Sequence, residues 1–200
     1  MKTYKYDTEE AWLEARRGKI TGTRLGGLLS KRNKAPLKGF YEVIAERVAI
    51  PHDGENVLDR GKRLEDEAIE RFSTVTGKKV DTSLMLWCRE DDENVALSPD
   101  GKVEGEEAAV EVKCLNSAAH IQAFVEQSIP DDYHHQMLQY FIVNEKLETL
   151  YFIFYDPRMT KDFFYLTITR ESVQLEVDEY LALEREALEK MAEIEQKLTF

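Results

Sequence analysis

The chain has little of what marks several protein classes. It holds two cysteines, five prolines and ten glycines in 200 residues, too few for a disulfide scaffold, a collagen-like repeat or a Pro/Gly-rich linker. Cys88 and Cys114 lie in apolar, strand-like segments without a partner motif, so both are expected to be buried free thiols in a reducing compartment. No apolar run reaches the length of a membrane span, and the opening MKTYKYDTEEAW has no apolar leader core. The expectation is a cytoplasmic protein with no membrane contact. Positive charge is also scarce: 27 basic residues face 39 acidic ones, a net −12, which disfavours general attraction to a polyanion.

What is present is a globular composition, 42% apolar and 33% charged, at a length that suits one domain spanning 1–200. The cations are also segregated. Arg16, Arg17, Lys19, Arg24, Lys31, Arg32, Lys34 and Lys38 occur between positions 16 and 38 without a single acid. A local positive patch on an acidic body can steer an anion whatever the net charge.

Read for periodicity, the chain alternates helices and strands. Asp7 is expected to cap a helix that carries Trp12 and Leu13 and stops near Gly18, before a hydroxyl- and glycine-bearing turn and a short helix over 24–29. Pro36 opens a helix that ends before Pro51, and His52, Asp53 and Gly54 form a loop. A helix over 57–76, closed by Gly77, has the seam Leu58, Gly61, Glu65, Ala68, Phe72 and Val75. Glu65 therefore interrupts an apolar or small face, where a carboxylate needs a partner. Strands are expected over 79–87, 94–98, 150–155 and 163–169, with 89–93 a charged turn. Helices follow at 116–129 and after Asp131, and the latter places Tyr133, Gln136, Met137 and Tyr140 on one face. The adjacent His134 and His135 diverge on that helix, so no shared metal is expected. From Glu171 a long helix shows Leu181, Leu188, Met191, Ile194 and Leu198 on one side. The order predicts an α/β fold, a central mixed β-sheet flanked by helices.

One stretch concentrates chemistry: LSPDGKVEGEEAAVEVKCL, residues 97–115. On a strand Glu111 and Lys113 share a face while Val110, Val112 and Cys114 point the other way. Asp100 sits in a turn that opens a hairpin, so it can join them. Two carboxylates and an ammonium are what binding a divalent cation and activating water against a phosphodiester require.

With these pieces placed, the chain resembles the bacteriophage lambda exonuclease family, YqaJ-like viral recombinases of the PD-(D/E)xK nuclease superfamily. The likeness spans about Trp12 to Thr169. It is carried by WLEARRGKITGT at 12–23, GKRLE at 61–65, SPDG at 98–101, EVKC at 111–114, Gln136 with Tyr140, and DPRM at 156–159. The resemblance implies a restriction-endonuclease-like core and a Mg²⁺-dependent 5′-to-3′ exonuclease on linear duplex DNA that leaves 3′ overhangs. It implies two ions, with Mn²⁺ able to substitute. The implied metal ligands are Asp100, Glu111, the Val112 carbonyl and Glu65 through water; Lys113 and Gln136 complete the catalytic set. Arg16, Thr23 and Ser98 correspond to holders of a 5′-phosphate. The family's arginine after the lysine strand has no counterpart here, which leaves three readings: His120 substitutes, a cation from elsewhere substitutes, or the enzyme depends less on a 5′-phosphate. Implied partners are double-stranded DNA ends, a homotrimeric ring and a single-strand annealing protein in the bacterial host of a phage or prophage. A PD-(D/E)xK endonuclease and a non-catalytic DNA-binding protein are the alternatives.

Overall fold

The computed structural model describes residues 1–34, 36–37, 39–40, 43, 46, 59–115, 117–157 and 159–198; of 59–63, 117, 118 and 121 it describes the backbone alone. A mixed five-stranded sheet forms the centre, in the order β2 (Val80–Asp81), β5 (Gly101–Val103), β6 (Ala108–Lys113), β7 (Thr149–Tyr155), β8 (Phe163–Thr169). Only β6 and β7 pair in parallel. A second sheet of three antiparallel strands joins β1 (Lys2–Lys5), β3 (Met85–Cys88) and β4 (Ala96–Leu97).

Helices cover both faces of the larger sheet. Along β6 the alternate residues Val110 and Val112 pack with Ala68 and Phe72 of α2 (Asp59–Thr76). The opposite face, with Ala109, Phe152 and Phe154, packs on α4 (Asp131–Val143) and α5 (Arg170–Leu198). Glu111 is aligned with Phe152 in the ladder and so belongs to the α4 side. Helices α1 (Glu9–Arg16) and α3 (Ser117–Glu126) and a 3-10 helix over Gly22–Gly27 complete the described elements. Gly101 is required where β2, β5 and β6 meet: a Cβ there would lie 2.4 Å from Val80 Cγ1 and 2.9 Å from Val110 Cγ2.

The structure departs from the sequence reading at several points. Thr8, not Asp7, caps α1, its hydroxyl accepting from the Ala11 amide. The run 79–87 is two strands in two different sheets, and the polar β1 was not expected at all. Val75 is 59% exposed, because the α2 seam ends at Phe72. The short helix expected over 24–29 is a 3-10 helix over Gly22–Gly27, and Leu29 lies beyond it in a bridge to Pro36. Leu58, most of the helix expected after Pro36 and the 52–54 loop lie outside the described residues. On α5 the buried residues are Val173, Val177, Tyr180, Leu183, Glu184, Ala187 and Met191, so the seam passes through a carboxylate; of the expected stripe Met191 is buried, Leu181, Leu188 and Ile194 pack half-buried at its edge and Leu198 is exposed. Arg89 is no solvated turn residue: 3% exposed, it bonds to Asp91 and, at 3.2 Å, to Glu184. Cys88 is buried, whereas Cys114 is only partly so.

Candidate active site

The β5–β6 hairpin brings the acidic turn to the end of β6. Asp100 Oδ2 accepts a 2.7 Å hydrogen bond from the Val112 amide, which fixes the carboxyl against the strand that carries Glu111 and Lys113. Glu111 is completely buried, and both its oxygens are occupied. Lys113 Nζ and Gln136 Nε2 donate to Oε1, and the Tyr140 hydroxyl donates to Oε2. Gln136 and Tyr140 are four residues apart and therefore share the α4 face turned to β6.

These groups open onto a cavity of about 270 Å³ whose wall includes Arg16, Glu65, Ser98, Asp100, Glu111, Lys113 and Gln136, together with Glu9 and Trp12. Its electrostatics show too little positive charge. Burial, then the neighbouring Glu111, pushes the Asp100 carboxyl well above the ordinary range, and Glu65 adds to this against the pull of Lys113. Burial alone would lower the Lys113 ammonium, but Glu111 and Asp100 outweigh it and raise it. Burial lowers the Arg16 guanidinium, with Asp100 and Glu111 opposing; the guanidinium stands 4.5 Å from the Trp12 ring centroid. The Cys114 thiol is pushed up to about 12 by burial and by Glu65 and Asp100, away from the thiolate form.

Two facing carboxylates short of positive charge suit a hard divalent cation. The described residues bring no group of three or more metal-type side chains together, but magnesium keeps much of its water and needs only one or two carboxylates. Asp100 and Glu111 meet that requirement, Glu65 stands on the same wall, and the Val112 backbone is at the site.

The anion-binding expectation fares unevenly. Arg16 and Ser98 are on the wall, and the Ser98 hydroxyl is buried without a hydrogen-bond partner. Thr23 is not on the wall; its exposed hydroxyl lies 3.4 Å from that of Thr21. His120 is not on the cavity wall. It is 1% exposed, its Nε2 bonds the Lys161 carbonyl at 2.8 Å and its ring meets Phe164 edge-on. Much of the basic patch is neutralised by acids distant in sequence: Arg24 by Glu46, Lys31 by Glu179 and Lys34 by Glu186. Lys38 lies outside the described residues. The diverging histidines have separate partners, His134 with Glu176 and His135 with Tyr180. Tyr140 was absent from the expected catalytic set, though its place on the Gln136 face is the signal that identifies it.

Residues 11–147 match the YqaJ-like viral recombinase domain. Among solved structures the chain is similar to an alkaline exonuclease, LHK-Exo, from Laribacter hongkongensis, at 25% identity and TM-score 0.77, covering 94% of this chain and 97% of that one. The LHK-Exo complex with dAMP gives 26% identity and TM-score 0.76 over the same shares. A phage related exonuclease from Haemophilus somnus, 14% identical over 90% of this chain and 96% of that one with TM-score 0.61, shares the fold. No curated protein matches the chain.

Proposed function

We propose, from the premise that this chain belongs to the YqaJ-like viral recombinase family, that it is a Mg²⁺-dependent exonuclease acting on linear double-stranded DNA. It degrades one strand 5′-to-3′ and leaves 3′ single-stranded overhangs for annealing recombination. The observation that carries the reading is the convergence of Asp100, Glu111 and Lys113 on one cavity with Arg16 and Ser98 on its wall.

Asp100 and Glu111 would hold the magnesium, with the Val112 carbonyl and, through water, Glu65 as further contacts; two ions are expected, and Mn²⁺ would suit the same oxygen donors. When bound, the metal would supply a lowered water pKa and stabilisation of charge on the phosphate and the leaving oxygen. Lys113 orients the attacking water. Held charged by Glu111 and Asp100, it also offsets charge gathering on the phosphate. Gln136 and Tyr140 keep Glu111 in place. Arg16 and the unpartnered Ser98 hydroxyl receive the 5′-phosphate, a role the family resemblance also gives to Thr23, which is not on the cavity wall.

The same reading includes a single nuclease domain over 1–200, a homotrimeric ring around duplex DNA and a single-strand annealing partner. It also includes action in the cytoplasm of a phage or prophage host. No helix of the described residues is long and apolar enough to cross a membrane.

Digestion of end-labelled duplexes with and without 5′-phosphate, in Mg²⁺ and in chelator, beside a covalently closed circle, tests the proposal. Loss of the labelled 5′ end in Mg²⁺ only, with the circle intact and Lys113→Ala folded but inactive, is expected. Cleavage of the circle indicates an endonuclease, and undiminished cleavage in chelator or by Lys113→Ala sinks the metal mechanism.

A further inference from the structure

Lys113 has two partners of different kinds. Its Nζ donates to Glu111 Oε1 and stands 5.0 Å from the centroid of the Tyr133 ring. Tyr133 occupies the first turn of α4, three residues before Gln136 and seven before Tyr140, so the three side chains line the face turned to β6. Each grips one group there. Tyr140 takes Glu111 Oε2, Gln136 takes Glu111 Oε1, and Tyr133 takes the ammonium.

An ammonium on four methylenes with one acceptor can still swing about that acceptor. A second anchor in another direction removes this freedom. The face of an aromatic ring attracts a cation through its quadrupole, and it leaves the N–H bonds not given to Glu111 available for water or phosphate. A second carboxylate in that place would compete for those N–H bonds.

We infer that Tyr133 is a positioning residue for the cleavage reaction: the face of its ring holds the Lys113 ammonium in its working orientation. The inference rests on the role given to Lys113 above. The contact uses the ring and not the hydroxyl, so the electron density of the ring is the variable that matters. Tyr133 also packs against the hydrophobic core, and the test must separate holding a cation from filling space.

Phenylalanine and its mono-, di- and trifluorinated forms at position 133 keep the shape of the ring while weakening its quadrupole in steps. Single-turnover digestion of a 5′-phosphorylated duplex, relative to the phenylalanine form, is expected to fall stepwise to about five- to thirty-fold at three fluorines. DNA-end affinity and the thermal midpoint stay level. A flat activity series, or a fall that tracks the midpoint, overturns the inference. A second measurement needs no catalysis: urea unfolding of Tyr133→Leu, Lys113→Met and the double variant. The expected coupling is about fivefold or more in the folding equilibrium constant, and simple additivity overturns the inference. A wild-type protein inactive on every DNA sinks the nuclease reading instead, and the unfolding cycle still judges the contact.

Discussion

Glu111 and Glu184 are built from the same parts. Both are completely buried. Each accepts from a glutamine of α4, Gln136 for one and Gln139 for the other, and each stands beside a cation, Lys113 or Arg89. Their surroundings differ. Glu111 and Asp100 line one cavity, whereas Glu184 is sealed between α4, α5 and the turn after β3. Burial pushes the Glu184 carboxyl up to about 7 against the pull of Gln139 and Arg89. A buried, paired carboxylate is thus not in itself a sign of catalysis. A second carboxylate facing it and open volume beside it turn the same hydrogen bonding into a site that can act on a ligand.

The contrast is sharpest in activity. Glu111→Gln should slow cleavage on the order of a hundred- to a thousandfold in the end-labelled assay, while Glu184→Gln stays near wild type; equal losses would erase the distinction. Stability should show the reverse asymmetry. Arg89→Met strands Glu184 and should cost about 3–5 kcal/mol in urea unfolding. Lys113→Met should cost ~1 kcal/mol, since Gln136 and Tyr140 still bond Glu111 and the cavity admits water. The smallest effect is a pH slope. Glu184 binds its proton more tightly folded than unfolded, so the stability this adds is fully present below about pH 4.5 and lost as pH rises to about 7. Unfolding at pH 5 and pH 7.5 should show wild type weakening relative to Glu184→Gln, by ~1 kcal/mol or more. A parallel pair of curves would mean that Arg89 keeps Glu184 ionised throughout.

Legibility follows the range of the interactions. The hairpin with Asp100, Glu111 and Lys113 is readable because alternation and a turn signal operate over a dozen residues. The Tyr133, Gln136 and Tyr140 face is readable from helical spacing, and Glu65 from its intrusion into an apolar seam. Glu184 intrudes in the same way on α5, but there the half-buried Leu181 and Leu188 beside it suggest a competing stripe. Its partner Arg89 lies 95 residues away in what reads as a solvated turn. The basic patch misleads for a related reason: local composition does not reveal that Glu179 and Glu186 lie across from Lys31 and Lys34. Strand β1 is exposed at every residue, so no apolar alternation announces it.

Strands β6 and β7 run parallel, so the chain must cross from one end of the sheet to the other between Lys113 and Thr149, and α4 lies on that crossover. The hairpin alone contains Asp100, Glu111 and Lys113 but none of the α4 groups that saturate Glu111. The smallest portable form of this cluster is therefore a β-α-β unit joined to the preceding hairpin, and a graft of 97–115 alone would carry Asp100, Glu111 and Lys113 without the α4 groups that grip Glu111.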